Sequence, residues 1–533
     1  MLLMIPVFLF LIAAVVILIL QQLRPGFGNA WMVAVGVSLV GFILLLVAHW
    51  YTPPPYAILN WRLPQPEAAL IVYQLDSASW IYAFCILSLV LAVFLTAPAR
   101  LHTLKNTGVW AASLGIAGLG LLAMISYSPM GIALAWSGID LLELIILLRL
   151  TENSELAGST VVAFSTRILG TMLLVGSMVL ARSSGSVLIL GNVAPGVGLV
   201  LLLAAGLRLG VLPLHLPAAQ VVPMRRGLGT VLHMVGPASS LVLLARLPAG
   251  AVPVGWVGWL LALSALSALY GSLRWLTAED EISGRPYWVI SLAAMAVACV
   301  VRGQPLASLP WGAALILVGG LISLYSARDR RIFVAPALGL LALIGLPFTP
   351  ASSGWSGLLG DRLDFAGILF ILALVGLLLG YVRHLRWPEE SLDQMDNWVQ
   401  MIYPLGLFVL AVAPWMVAIL GKSGSLTMGV WWAPVAVLLL FIGGMVLIFR
   451  LEPQPGGESN SPTWVSFSTA TLGKWFGIIF NLRWINVVLN VIYRLLQRGV
   501  NFITTLLEGE GGVLWVFVLL TLLISLLRQG SSR

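Results

Sequence analysis

Asp140 and Glu143 stand three residues apart in the apolar stretch GIALAWSGIDLLELIILLRL. On a helix, that spacing puts both carboxylates on one face. Arg167 follows in VVAFSTRILGTMLLVG, and then Arg208 and His215 in GLRLGVLPLHLP, with Pro213 between them. His233 and Pro237, a further expected helix break, come next in GTVLHMVGPASSLVLL. Ionisable groups at membrane depth are costly, so each of these side chains needs a partner or a task. Two carboxylates and two arginines on neighbouring segments suit a paired network facing a bundle interior; ion pairs that only fix helix packing are the plainer alternative. Pro213 favours a site. It removes a backbone hydrogen bond, a break tolerated in lipid where it is buried or lines a wet cavity. A broken helix beside charged groups is the usual build of an ion or proton site in transporters. Imidazole titrates near neutral pH, which makes His215 and His233 the candidate proton shuttles, although a lone histidine in a span is more often a hydrogen-bonded packing residue.

The elements that must position these groups are membrane helices. The chain has 533 residues, 60% hydrophobic and 9% charged. Soluble domains carry roughly 25% charged residues, so that class is excluded. Apolar runs of about 17–25 residues recur throughout, and the short alternating segments of a membrane barrel do not. The expected fold is an all-α polytopic membrane protein with about 16 spans. MLLMIPVFLFLIAAVVILIL has no basic n-region and no cleavage-site pattern, and reads as a retained first span. Cys85 and Cys299 both fall in apolar runs and support neither a disulfide framework nor a metal cluster. The net charge of +8 fits basic cytoplasmic loops better than a nucleic-acid surface. Arg100, Lys105, Arg225, Arg226, Arg328, Arg330, Arg331, Arg383 and Arg386 all fall in odd-numbered loops, which places those loops in the cytoplasm and the N-terminus outside.

A second interruption, LALIGLPFTPASSGWSG, carries Pro347 and Pro350 in the twelfth span, five spans after the first. Two broken helices at matching places point to inverted five-helix repeats. The expected organisation is N-terminal spans over 1–107, a first repeat over 108–247, a second over 253–386 and further spans over 387–450. Residues 463–507 mix an apolar face with Lys474, Arg483, Arg494 and Arg498, as expected of an amphipathic helix lying on the cytoplasmic surface before a final span at 512–527, with one more short, tilted span as the alternative.

On these residues the chain resembles the antiporter-like membrane subunits of respiratory complex I, a family shared with Mrp-type cation/proton antiporters. That family carries a lysine five residues before a Pro-Leu-His; here Arg208 precedes Pro213-Leu214-His215 by the same distance. Val231-Leu232-His233 resembles the family's Leu-Leu-His, Thr166-Arg167 its Asn-Arg, and Gly345-Leu346-Pro347 its Gly-Ile-Pro. The fifth-span glutamate corresponds to Asp140, with Glu143 as the rival, and Asp76 matches a recurrent Leu-Asp. The resemblance covers roughly residues 70–385. It implies a cell (inner) membrane location, partner membrane subunits, and protons or monovalent cations as the species moved.

The departures are equally specific. The family's further lysines and histidines fall here near Ser239, in AEDEISGR (278–285), in LPWGAALILVGGLISLYSA (309–327) and near Trp355, so the second repeat looks degenerate, with Arg274 and Asp280 at its span ends. A lysine can lose its proton when buried, whereas an arginine, with a pKa above about 12, stays a fixed cation. Arg208 therefore suits a lock better than a relay. The chain shows no cysteine cluster for iron–sulfur and no nucleotide-binding glycine pattern. No cofactor, metal or catalytic residue of its own is expected, and electron chemistry would belong to partner subunits. The implied function is an antiporter-like subunit of a complex I-related assembly with a partial proton path. A stand-alone or two-component cation/proton or inorganic-carbon transporter, and a membrane scaffold, stay open beside it.

Overall fold

The computed structural model describes residues 2–24, 30–51, 55–58, 71–103, 108–150, 154–185, 188–216, 226–327, 332–360, 363–385, 395–421 and 428–451, with isolated positions at 392, 494, 497 and 498. The surface helix expected at 463–507 and the final span at 512–527 lie outside the described residues. Residues 1–60 and 70–443 form one compact unit, and 61–69 with 444–533 a second. The account that follows concerns the first.

Helices follow one another as α1 (Ile5–Leu23), α2 (Ala30–Trp50), α3 (Ser77–Thr96), α4 (Gly108–Ile125), α5 (Pro129–Leu150), α6 (Ser154–Ser183), α7 (Pro195–Arg208) and α8 (Arg226–Ala245). Then come α9 (Val254–Thr277), α10 (Glu281–Val301), α11 (Ser308–Leu324), α12 (Val334–Ile344), α13 (Gly354–Leu359), α14 (Phe365–Leu385), α15 (Asn397–Leu420) and α16 (Trp432–Leu451). Among the described residues, 12 helices are long and apolar enough to cross a membrane, and α7, α12 and α16 carry shorter apolar runs. A two-stranded antiparallel ladder, β1 (Tyr56–Ile58) on β2 (Ile71–Tyr73), lies outside the spans. The chain is a multi-pass membrane protein, and the spans among the described residues are all helical.

Burial distinguishes the centre from the rim. In α3, α8, α10 and α11, 94–100% of the apolar window is buried, against 28% in α1 and α2. Central α8 packs on α3, α4, α10 and α11. Capping boxes start two of these central helices: Asp76 accepts from the Ser79 amide at 2.7 Å, and Asp280 from the Ser283 amide at 2.8 Å.

Both interrupted spans break where glycine and proline coincide. α7 stops at Arg208, and Gly210 turns the chain with φ 73° ahead of a cis Leu212–Pro213 bond. The Gly206 carbonyl, freed by the break, accepts from the Val211 and Leu212 amides at 2.9 and 3.1 Å. α12 stops at Gly345, φ 76°, and Pro347 and Pro350 fall in the segment before α13. Pro237, expected as another break, instead lies inside an unbroken α8. One missing N–H costs a helix one bond. The rest of the α8 ladder continues past it, and the Ser239 hydroxyl donates to the Gly236 carbonyl at 2.6 Å.

Candidate functional site

α5, α6 and α7 meet at a buried ionic core. Arg208, the last residue of α7, places its guanidinium edge-on to Asp140, with Nη1–Oδ2 2.5 Å and Nη2–Oδ1 2.8 Å. The pair is bidentate and buried, with Asp140 fully inaccessible. Such paired geometry is the strongest a guanidinium makes with a carboxylate. Nη1 also donates to the Arg167 carbonyl and to the Thr171 hydroxyl, each at 3.1 Å. The ring of Trp136 lies against the cation, 4.4 Å from Cζ, and its own indole donates to the Ser239 carbonyl at 3.3 Å. Arg167 donates to Glu143 and stands 3.9 Å from Asp140. Asp140, Glu143, Arg167 and Arg208 thus form a net-neutral square, and the two acids are divided between the two arginines.

α6 approaches α7 closely here because residue 170 has no side chain. A Cβ at Gly170 would stand 2.6 Å from Arg208 Cγ and 2.9 Å from the Ala204 carbonyl oxygen. Overpacking of this kind costs about 1–3 kcal/mol. Gly170→Ala is expected to lower the thermal unfolding temperature in detergent, whereas Gly176→Ala, where a Cβ meets nothing within 4 Å, is not.

His233 reaches the core and His215 does not line it. His233 borders a cavity of about 20 Å³ with Glu143, Arg167, Arg208, Pro237 and Pro286, room for about one water. Its Nδ1 hydrogen-bonds the Gly229 carbonyl at 2.8 Å. His215 lies beyond the break, with Nδ1 2.8 Å from the Pro213 carbonyl and no hydrogen-bond partner at its buried Nε2.

Three features of the site lie outside the expected residues. α10 begins at Glu281, so Glu281 and Arg285 of AEDEISGR are buried within the helix rather than solvated in a loop. Glu281 accepts from Arg226, the first residue of α8, and Arg285 Nη1 reaches the Thr230 hydroxyl at 3.4 Å. At the opposite end of α8, Arg246 grips Asp76 at 3.0 and 3.2 Å and donates to the Met124 carbonyl at 2.7 Å. Burial pushes the Asp76 carboxyl up, but Arg246 and Ser79 outweigh it and hold the group below the usual carboxylate range. The third feature is a set of buried indoles in the second half. Trp355 donates to the Ile344 carbonyl left over at the end of α12 (3.2 Å), Trp311 to Gly354 (3.1 Å), Trp288 to Leu315 (3.0 Å) and Trp275 to Leu377 (3.2 Å).

Solved structures of like fold include a chain of the membrane-bound sulfane sulfur reductase, an archaeal respiratory membrane complex. Its TM-score is 0.67 at 14% identity, over 98% of this chain and 99% of that one. A chain of the Mrp complex from Dietzia sp. DQ12-45-1b gives 0.69 at 14% identity, over 100% of this chain and 63% of that one. A chain of respiratory complex I from Thermus thermophilus gives 0.65 at 17% identity, over 82% and 99%. No protein-family model and no curated protein matches the sequence. At these identities the likeness speaks for architecture: this chain shares its fold with those chains of respiratory and Mrp complexes.

Proposed function

We propose that the chain is an antiporter-like membrane subunit of a complex I-related, proton-translocating assembly, with a partial proton path confined to its first half. The observation that carries this is the bidentate Arg208–Asp140 pair at the end of a broken helix, inside a fold shared with respiratory and Mrp complexes. Residues 108–247 are the first repeat and 253–386 the second; α7 and α12 are their broken helices, five elements apart. Asp140, Glu143, Arg167 and Arg208 form the ionic core, and His233, on the same cavity, is the better placed shuttle of the two histidines. Arg208 is a fixed cation paired with Asp140, which leaves Glu143 and His233 as the candidate proton-exchanging groups of the core. The second half, where indoles bind carbonyls, is structural. The chain sits in the cell membrane with its N-terminus outside, and its partners are other membrane subunits.

Purification in mild detergent, with identification of what co-purifies, tests the assembly. Proton pumping by the assembled complex then tests the core. Arg208→Ala should abolish whatever pumping depends on this chain, and Arg208→Lys should alter it by restoring a cation that can deprotonate. Unchanged pumping in both variants would remove the core from any working path. The likeness to a chain of the Mrp complex spans the whole of this one, and a stand-alone or two-component cation/proton or inorganic-carbon transporter is the second reading. Cation-dependent proton flux in liposomes holding this chain alone would decide for it.

A further inference from the structure

Arg226, Thr230 and His233 recur at spacings of four and three along α8, which places them on one face. Glu281, Arg285 and Val289 recur every four along α10. The two stripes face each other: Arg226 donates to Glu281, Arg285 reaches Thr230, and Val289 lines the same cavity as His233. The Arg285 guanidinium also lies within electrostatic range of the His233 ring. At about 1.5 Å per residue, Arg226 and His233 are roughly 10 Å apart along the helix. A polar seam therefore runs from the end of the bundle, where α8 and α10 begin, to the cavity beside Glu143.

At its mouth the seam is shut. Arg226 and Glu281 are 8% and 2% exposed, and Arg226 also donates to the Ser323 carbonyl of α11 at 3.2 Å. An ion pair taken out of water pays heavily for desolvation, so the closed and open arrangements of such a pair differ less than its contacts suggest. The pair joins a helix of the first repeat to helices of the second, and small relative movements of the two would part it.

We infer that Arg226 and Glu281 gate a proton-access route along Thr230, Arg285 and His233 to Glu143. This rests on the reading of the core as a proton site. The plainer alternative is a packing clasp that pins α8 to α10 and α11 and admits nothing.

Thiol labelling separates the two without any measurement of transport. In the full chain with Cys85→Ala and Cys299→Ala, His233→Cys is exposed to a small cationic methanethiosulfonate reagent in membrane vesicles of either orientation. With the pair intact, labelling is slow from both sides. Glu281→Gln should speed it about tenfold or more, and only from the side where α8 begins, because weakening the closed form shifts the population toward the open one. The charge-reversed double variant, Arg226→Glu with Glu281→Arg, should return it to the slow rate. Unaltered labelling in Glu281→Gln would overturn the gate. Equal acceleration at Ala238→Cys, a fully buried position further along α8, would also overturn it, since that reports general loosening. A chain that pumps nothing and binds no partner would still show the gated pattern, so this result and the failure of the proposed function are distinguishable.

Discussion

Asp140→Ala is expected to destabilise the protein by about 3–5 kcal/mol, because it strands the Arg208 guanidinium in the bundle interior. Arg208 is 3% exposed, so bulk water cannot replace the lost carboxylate. Its other polar contacts are the Arg167 carbonyl and the Thr171 hydroxyl, which cannot replace a carboxylate. The ring of Trp136 offers a cation a favourable face but no counter-charge. Removing both partners should be far milder: Asp140→Leu with Arg208→Met deletes the buried charges together, and such replacements are often neutral or stabilising. The measurement is thermal unfolding in detergent of the two single variants and the double. If the double variant is no more stable than the worse single, the pair is not a mutually compensating unit and the lock assigned to Arg208 has no basis. Thr171→Val gives a finer control, since it removes one acceptor and leaves the ion pair.

How much of this was legible in the sequence depends on which side of an apolar helix is in question. The broken spans announce themselves because Gly-Pro punctuation inside an apolar run has few physical explanations, and the charges beside Pro213 show where to look. The division of acids between arginines is a different matter. Asp140 and Glu143 share a face, and only coordinates show Arg208 taking the first and Arg167 the second. Helix orientation is harder still. Lipid is as apolar as a packed core, so exposed Leu134 and Leu141 on α5 look no different in sequence from buried Ile132 and Ile139.

Arg246, Glu281 and Arg285 were hidden for a related reason. They sit at the ends of apolar runs, where a charge ordinarily marks a loop. A local signal for two of them does exist. Asp280-x-x-Ser283 is a capping box that starts a helix at 281 and carries Glu281 and Arg285 into it, as Asp76-x-x-Ser79 does for α3. Arg246 has no such marker; its role depends on Asp76, 170 positions away in sequence. The tryptophans are similar. Trp355 is visible as a large residue after the second break, but its partner is a carbonyl, which has no letter in the sequence.

That partner makes Trp355 the most informative residue of the second half. Its indole satisfies the Ile344 carbonyl where α12 ends, and Gly345 must lack a side chain because a Cβ there would stand 2.5 Å from the indole nitrogen. Trp311 packs edge-on against it at 5.5 Å between ring centres and satisfies the Gly354 carbonyl where α13 begins. The two rings thus fill the second break with apolar bulk and two well-placed donors, where the first break has an ion pair. Trp355→Ala should cost about 3–5 kcal/mol through the cavity it leaves. Trp355→Phe keeps most of the volume but orphans the Ile344 carbonyl, for about 1–3 kcal/mol. Both are read as lowered thermal unfolding temperatures in detergent. A structural second half adds a further expectation: proton pumping by the assembled complex should be unchanged in Trp355→Phe at temperatures where that variant stays folded. If pumping falls while the fold holds, protons do cross at the second break, and the path is not confined to the first half.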